Sequence, residues 1–304
     1  MRYRFWLGVS VLVISYESSV SLLAMTTEEK FHALVEEVKQ ASRIAKAYFD
    51  SDDVSNELKE DKSVVTRIDK EIEDRLRTFI KTNFRDDAIV GEEGENEPGT
   101  TGFVWHVDPI DGTDNFLRKI PFCAISIARL GDTEEDSFAI VHNPITGHTF
   151  SSFMEGGCYE NSRITNLTAE PLGGKYVIGV SRGREPWMKI AAYKLFEAVG
   201  TRYGRCGHFH STALELAYLS AGRFDAFLTF GLQSYDWGAG LYLVRAAGGK
   251  ISVFEDGGWK SFEVSIKELC NAHGKTIFAS HPDIHDEMRD FIGNPRNWAQ
   301  ENKG

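Results

Sequence analysis

The sequence predicts an α+β protein in which helices pack on β-sheets in layers. Near the start, apolar residues recur every three or four positions, as on the buried face of a helix. From residue 88 onward, short apolar runs alternate with turns, and from residue 176 onward strands alternate with helices. Because each helix and sheet has an apolar side to cover, this order of elements predicts stacked layers.

The first half of the chain begins with two amphipathic helices. The apolar stripe of the first runs from Phe31 to Tyr48, and a polar loop follows at 51–61. The stripe of the second runs from Ile68 to Phe79, and this helix is expected to end near Asn83. Strands are then predicted at 88–90, 104–107, 124–130, 138–142 and 149–153.

The second half follows a connector at 169–175 that contains one proline and two glycines. Strands are predicted there at 176–180, 224–228, 250–254 and 276–279. Helices are predicted at 186–199, 211–221, 236–247 and 283–292. The chain is therefore expected to divide into an N-terminal α+β half, 25–168, and a C-terminal α/β half, 169–304.

The composition excludes several classes of function. The 304 residues contain 34 Lys and Arg against 45 Asp and Glu, a formal charge of −11. This acidic excess argues against a general nucleic-acid binder, which needs clustered basic residues, and we expect no nucleic-acid or membrane partner. It does not exclude a small anionic substrate, because bound metal ions can invert the local charge. The four cysteines are widely spaced, which argues against a zinc site.

The first 24 residues resemble a secretory signal. Arg2 and Arg4 precede an uncharged run, 5–16, that is too short to span a bilayer. Met25 stands directly before the first predicted helix. We therefore expect residues 1–24 to be an over-extended start and the protein to be cytoplasmic, with a genuine export signal as the alternative.

The most informative segment is WHVDPIDGTDNF at 105–116. A predicted strand ends in Asp108, Pro109 is expected to force a turn, and Asp111 follows just before Gly112 and Thr113 at a helix start. Unpaired N–H groups at such a start favour a phosphate. Two close carboxylates repel each other, and a magnesium ion removes that cost. The alternative is that both acids only cap a turn.

Two other acids lie at the ends of predicted elements. Glu92 follows the strand at 88–90 in the sequence GEEG. Asp236 begins an apolar helix, where its ordinary role would be that of an N-cap. Three acidic sites at element ends, one of them next to a phosphate seat, favour metal chemistry over capping alone.

These segments resemble the inositol monophosphatase family of magnesium-dependent, lithium-sensitive phosphatases. The resemblance rests on VTRID at 65–69, GEE at 91–93, DPIDGTDNF at 108–116 and YDWGAGLYLVRAAGG at 235–249, in that order and spacing over roughly 25–292. It implies a five-layered αβαβα sandwich, like that of inositol monophosphatase and fructose-1,6-bisphosphatase, with the site between its two halves. It also implies a homodimer.

The resemblance further implies two or three Mg²⁺ ions. The first would be held by Glu92, Asp108 and the backbone carbonyl of Ile110. The second would be held by Asp108, Asp111 and Asp236, so that most of the metal ligands come from the N-terminal half.

The resemblance also implies catalytic and phosphate-binding roles. Gly112 and Thr113 would donate backbone N–H groups to the phosphate. Asp69 would hydrogen-bond the Thr113 hydroxyl, and this pair, with Glu92, would activate water without a covalent intermediate. Lys62 lies where the family has a mobile loop carrying a lysine; the alternative is an exposed loop charge.

The sequence departs from the family pattern beside the expected phosphate site and at the positions expected to contact substrate. Asp114 replaces the usual threonine and is expected to point away from the site. His210, Ser211 and Thr212 stand where the family often has G-S-A, and Thr229 where inositol-selective members often have glutamate. His210 could stack on a base or an imidazole, bond a second phosphate, or simply begin a helix.

The predicted function is that of a magnesium-dependent phosphomonoesterase acting on a small soluble phosphate ester, with inositol monophosphate as first choice. The rival substrates are a 3′(2′),5′-bisphosphate nucleotide, fructose 1,6-bisphosphate and histidinol phosphate. The rival from another class of function is a catalytically silent, metal-dependent regulatory protein of the same fold.

Overall fold

The computed structural model describes residues 25–51, 56–58, 64–133, 135–153, 156–165, 167, 175–262, 266–270 and 274–300. The segment 1–24, Lys62 and the expected boundary between 168 and 169 lie outside the described residues. The interpretations of these positions therefore stay predictions.

The chain begins with two helices, as predicted. Helix α1 spans Thr27–Asp50, and α2 spans Arg67–Asn83. Thr26 caps α1: its hydroxyl accepts from the Glu29 N–H, and the Glu29 carboxylate accepts from the Thr26 N–H at 2.8 Å. Between the helices lies an antiparallel pair of short strands, β1 (Asn56–Leu58) and β2 (Val64–Thr66).

The first large sheet has seven strands in sequential order, of which only the first pair is parallel. The strands are β3 (Ala88–Gly91), β4 (Val104–Asp111), β5 (Ala124–Leu130), β6 (Phe138–His142), β7 (Thr149–Phe153), β8 (Cys158–Glu160) and β9 (Arg163–Thr165). The five predicted strands are present. The last two strands were not predicted, because three residues are too few to show an alternating pattern. A short helix α3, Thr113–Leu117, follows β4.

The second large sheet has six strands in the order β11-β10-β12-β15-β13-β14. They are β10 (Tyr176–Val180), β11 (Gly204–Gly207), β12 (Ala226–Phe230), β13 (Lys250–Glu255), β14 (Gly258–Ser261) and β15 (Thr276–Ser280). The helices are α4 (Pro186–Tyr203), α5 (Thr212–Ser220), α6 (Ser234–Ala246), α7 (Ile266–Cys270) and α8 (Pro282–Ile292), followed by a 3-10 helix at Pro295–Ala299. Strand β10 is parallel to both β11 and β12.

The helices and sheets form five layers. Helices α1 and α2 pack on the outer face of the first sheet, α5 and α6 fill the space between the sheets, and α4 and α8 cover the outer face of the second sheet. The predicted αβαβα sandwich is therefore confirmed. Among the described residues, no helix has both the length and the apolar character needed to cross a membrane.

Candidate active site

Two parallel strands place Glu92 beside Asp108. Gly91 of β3 pairs with Val107 of β4, and the Glu92 N–H donates to the Val107 carbonyl at 3.1 Å. The next residue of each strand, Glu92 and Asp108, therefore leaves the sheet at the same edge. The side chain of Asp108 is only 1% exposed.

Strand β4 continues past Pro109, contrary to the prediction that the proline would force a turn. The strand extends to Asp111, and its pairing with β5 shifts register between Asp108 and Asp111. A bulge of this kind interrupts the ladder, so the missing N–H of proline is tolerated there. The bulge also changes the direction of the strand between its two acidic residues.

Residues of the C-terminal half hold Asp111 in place. One of its carboxylate oxygens accepts from the Ser211 hydroxyl at 2.6 Å and from the Ala213 N–H at 2.7 Å. Ser211 is completely buried and Thr212 is 6% exposed. Both were predicted to contact substrate, but in this structure Ser211 serves to orient a predicted metal ligand.

Asp236 lies on the third residue of helix α6 rather than at its N-cap. The helix begins at Ser234 with Gln233 as N-cap, and the Asp236 carboxylate accepts from the Gln233 N–H at 2.8 Å. The possible role of Asp236 as an N-cap is thus corrected to that of the acid in a capping arrangement. This arrangement fixes the carboxylate at the beginning of the helix.

The turn between β4 and α3 requires a glycine. Gly112 has φ = +88°, and a Cβ there would lie 2.8 Å from the carbonyl oxygen of His210. The Asn115 side chain strengthens this contact by donating to the carbonyls of Phe122 and Phe209, each at 2.7 Å. Asn115 was not singled out from the sequence, since its partners are set only by the meeting of the two halves.

The Thr113 hydroxyl donates to a backbone carbonyl in this structure and not to Asp69, the partner that the family resemblance implies. That hydroxyl donates to the Ile110 carbonyl at 2.9 Å. Asp69 lies on α2 and is 2% exposed. Because a hydroxyl has one hydrogen, donation to Asp69 would require the Thr113 side chain to turn away from Ile110.

A buried charge pair on α2 holds the loop that carries Glu92. The Glu73 carboxylate, 1% exposed, accepts from the N–H groups of Glu93 and Gly94 at 2.8 and 2.9 Å and from Arg77 Nε at 2.7 Å. A Cβ on Gly91 would lie 2.2 Å from Glu73 Oε1, so that glycine is needed for the close approach. Glu73 and Arg77 were not predicted as site residues, because in a helical sequence pattern they look like ordinary surface charges.

The clustered carboxylates favour their protonated forms in the absence of metal. Burial, and then the charge of Glu92 and other nearby acids, raises the pKa of Asp108 well above its usual value. Burial raises the pKa of Asp111 to about 7, although the hydrogen bond from Ser211 opposes this rise. Burial, with the charges of Asp111 and Glu92, likewise raises the pKa of Asp236. The four acids of both halves therefore share one electrostatic environment.

The comparison with known proteins decides the family. The profile of the Inositol monophosphatase family matches residues 27–289. The chain belongs to the inositol monophosphatase family. Nus factor SuhB of Escherichia coli (strain K12) is 35% identical over 261 residues, covering 84% of this chain and 94% of that protein. Inositol-1-monophosphatase of Rhizobium meliloti (strain 1021) is 33% identical over 257 residues, covering 82% and 94%.

Solved structures of the inositol monophosphatase family share this architecture. The extragenic suppressor protein suhB from Bartonella henselae superposes with a TM-score of 0.74 at 25% identity, covering 90% of this chain and 98% of that chain. The family consists of phosphatases that act on small phosphate substrates and are generally metal-dependent.

The donor atoms of this family member fit a hard divalent cation. The candidate ligands are oxygens only, and Asp108 Oδ1 is buried without a hydrogen-bond partner in the described part of the chain. Within those residues, no three acidic, histidine or cysteine side chains are already arranged around one point. Metal binding therefore requires these side chains to turn inward, and the positive ion would relieve their repulsion.

Removal of metal is expected to make stability depend on pH. The folded pKa of Asp111 is about 7 against 3.8 when unperturbed, so the folded state holds the proton more tightly. Stability should then be highest near pH 4 and fall as the pH rises toward 7, by about 2 to 4 kcal/mol for a shift of this size. Thermal unfolding in EDTA at several pH values measures this effect. Mg²⁺ should restore stability at pH 8, and Asp111→Asn should make the dependence weaker by removing the contribution of Asp111; a flat profile in wild-type protein would contradict this prediction.

Asp114 and the positions predicted to contact substrate differ in their exposure. Asp114 is exposed on the first turn of α3, as expected, and His210 is also exposed. Thr229 is 1% exposed and lies one residue before the end of β12, so it makes no contact with a soluble substrate in this conformation. Lys62 lies outside the described residues.

Proposed function

We propose that this protein is a magnesium-dependent phosphomonoesterase for small phosphate esters, with inositol monophosphate as first candidate. The observation that supports it is the shared electrostatic environment of Glu92, Asp108, Asp111 and Asp236, from both halves of the fold, beside the turn at Gly112. The relative in Rhizobium meliloti named inositol-1-monophosphatase covers 82% of this chain at 33% identity, which supports the choice of substrate.

In this proposal the acids divide between two ions. Glu92, Asp108 and the Ile110 carbonyl hold one, and Asp108, Asp111 and Asp236 hold the other. The bound ions supply the positive charge that stabilises the phosphoryl group during hydrolysis. A third ion beside Glu92 is part of the same proposal.

The remaining groups orient the phosphate and accept a proton. The backbone N–H groups of Gly112 and Thr113 bind phosphate oxygens where the turn opens toward the site. The Ile110 carbonyl would be among the metal ligands, which would leave the Thr113 hydroxyl to donate to Asp69. Asp69, buried on α2, then takes up through Thr113 the proton of the attacking water.

The cysteine side chains that the structure describes do not fit the role of a nucleophile. Cys123, Cys158 and Cys206 are free thiols, and burial raises the pKa of Cys123 to about 12. A thiol with such a pKa is not ionised near neutral pH and is a poor nucleophile. This supports direct attack by water, without a covalent intermediate.

The test is phosphate release from a panel of substrates with Mg²⁺ and with EDTA. Inositol 1-phosphate, fructose 1,6-bisphosphate, adenosine 3′,5′-bisphosphate and histidinol phosphate cover the rival substrate classes. We expect hydrolysis with Mg²⁺ and none with EDTA. Much slower hydrolysis of inositol 1-phosphate than of a bisphosphate would refute the first candidate, and no release from any compound by folded protein would refute the phosphatase.

The rival function is that of a catalytically silent member of the same family. The name of the Escherichia coli relative, Nus factor SuhB, is not that of an enzyme. The four acids and the Asp69 and Thr113 pair argue for catalysis, because a silent protein has no need of them. The homodimer, the cytoplasmic location and the absence of a nucleic-acid partner stay predictions.

A further inference from the structure

Three loops of the second sheet meet at the edge that carries Asp236. Strands β11, β10 and β12 lie side by side and parallel, with Gly179 of β10 paired to Gly207 of β11 and Val180 paired to Leu228 of β12. The carboxyl ends of parallel strands open at one edge, where ligands of such sheets bind. The loop after β10 therefore lies between the loop after β11 and the start of α6.

The loop after β10 presents an arginine at this edge. Gly183 is buried, and a Cβ there would lie 2.6 Å from the carbonyl oxygen of Phe230, while Arg182 is exposed. Arg182 Nη1 donates to the Tyr193 hydroxyl at 3.0 Å, which orients the guanidinium and leaves its other N–H groups available. Among the described residues, no carboxylate lies within ion-pair distance of Arg182.

The loop after β11 presents two adjacent imidazoles, tilted by 41° to each other. The rings of His208 and His210 lie 3.9 Å apart between centroids, and His208 Nδ1 is buried without a hydrogen-bond partner in the described residues. The His210 carbonyl borders Gly112, so the pair lies next to the proposed phosphate seat. These rings can offer N–H donors to an anion.

The backbone of His210 is strained. Its φ is +61°, in the left-handed region that disfavours residues with a Cβ. Glycine would occupy this position without cost, and strain retained at a site is a sign that the side chain is used. The positive φ of His210 therefore supports a role for its ring at this edge.

The local charges agree with a site for an anion. Burial, and then the positive charge of Arg182, lowers the pKa of His210, while the nearby charge of Asp114 opposes this. Burial, with the charges of His210 and Arg182, lowers the pKa of His208 to about 4. Both rings are therefore neutral donors near pH 7, and Arg182 supplies the positive charge.

We propose that Arg182, His208 and His210 form a subsite for a second phosphate of the substrate, next to the phosphate that is hydrolysed. In that case a small molecule with two phosphate groups replaces inositol monophosphate as the preferred substrate of the proposed phosphatase. This inference rests on the proposed phosphatase function and specifies the substrate class for the same site. Arginine suits this role because its planar N–H groups bind phosphate in pairs.

The test compares matched substrates with one and two phosphates. The pairs are inositol 1-phosphate with inositol 1,4-bisphosphate, fructose 1-phosphate with fructose 1,6-bisphosphate, and adenosine 3′-monophosphate with adenosine 3′,5′-bisphosphate. We expect kcat/KM for the bisphosphate of at least one pair to exceed that of its partner about tenfold or more, through a lower KM. The pair that shows the preference identifies whether a cyclitol, a sugar or a nucleoside carries the second phosphate.

Three variants assign the preference to the subsite. Arg182→Ala should reduce the ratio of kcat/KM for the bisphosphate to kcat/KM for the monophosphate about tenfold. The reduction should come from a higher KM for the bisphosphate. His210→Ala removes the ring and keeps a residue with a Cβ at the positive φ, whereas His210→Gly removes the ring and the strain together. Each of these two variants should reduce the ratio, because each lacks the ring. Arg163, exposed on the distant strand β9, provides the control Arg163→Ala, which should leave the ratio unchanged.

Binding without turnover separates this inference from the phosphatase function. Titration calorimetry of fructose 1,6-bisphosphate into Asp236→Asn protein, with and without Arg182→Ala, measures the subsite directly. Binding weakened by Arg182→Ala without hydrolysis by wild-type protein would support the subsite and refute the phosphatase. If wild type and Arg182→Ala hydrolyse both substrates with the same ratio of kcat/KM values, the subsite is refuted and the phosphatase function is not. Equal binding in both proteins would refute it as well.

Discussion

Replacing Asp236 by asparagine is expected to lower magnesium-dependent phosphate release about a thousandfold or more while the protein stays folded. Asparagine keeps a carbonyl oxygen for the Gln233 N–H, which donates to Asp236 at 2.8 Å. The helix cap is therefore retained, and only the negative charge needed for the metal is lost. Steady-state kinetics at saturating Mg²⁺ measures the loss of phosphate release.

Thermal unfolding of Asp236→Asn measures whether the variant stays folded. Because nearby acids and burial raise the pKa of Asp236, the substitution removes an unfavourable charge and should make the protein in EDTA at pH 8 as stable as wild type or more so. Asp283, an exposed acid in the first turn of α8, provides the matched control Asp283→Asn, which should change neither property. Undiminished hydrolysis in Asp236→Asn would rule out this site.

Replacing Glu73 by alanine is expected to destabilise the fold by about 3 kcal/mol, since it removes the buried partner of Arg77, which keeps its ion pair with the partly exposed Glu97 at 3.0 Å. Arg77, 6% exposed, would lose the carboxylate at 2.7 Å, and the N–H groups of Glu93 and Gly94 would lose their acceptor. Urea unfolding of wild type and variant measures the change in the free energy of unfolding.

The milder substitution Glu73→Gln tests whether this pair also positions Glu92. Glutamine keeps one acceptor oxygen and much of the shape, so the fold should persist. The loop at 91–94 should be less well held, with Mg²⁺ affinity reduced about tenfold to a hundredfold, as is typical when a group that orients a ligand is lost. Glu71→Gln, on the exposed face of α2, is the control. Unchanged Mg²⁺ affinity in Glu73→Gln would show that the pair serves stability alone.

The parts of the fold that were predictable are those with a strong local signal. The stripe from Phe31 to Tyr48 corresponds to α1, and the apolar run 124–130 corresponds to β5, because helix and strand periodicities follow from local geometry. Strand β11, GRCG, has no such alternation and was missed. It forms only because β10 provides hydrogen bonds along its length.

The candidate site also contains residues that the sequence predicted and residues whose roles it did not predict. Asp108, Asp111 and Asp236 stood out because acids at element ends next to glycine carry their own pattern. Ser211 was assigned to substrate, whereas it donates to Asp111, a hundred residues away in the chain. No local rule identifies a partner at that separation.

By itself the sequence determined the longer helices and strands, the acidic motifs and the family, since each depends on residues close together in the chain. The tertiary structure alone decided that Glu73 holds the loop of Glu92, that Ser211 orients Asp111, and that Arg182 lies at the same edge as His208 and His210. These relations depend on which strands pair and how the layers stack. The free energy of burial and hydrogen bonding across the whole fold sets that arrangement, and no short segment encodes it.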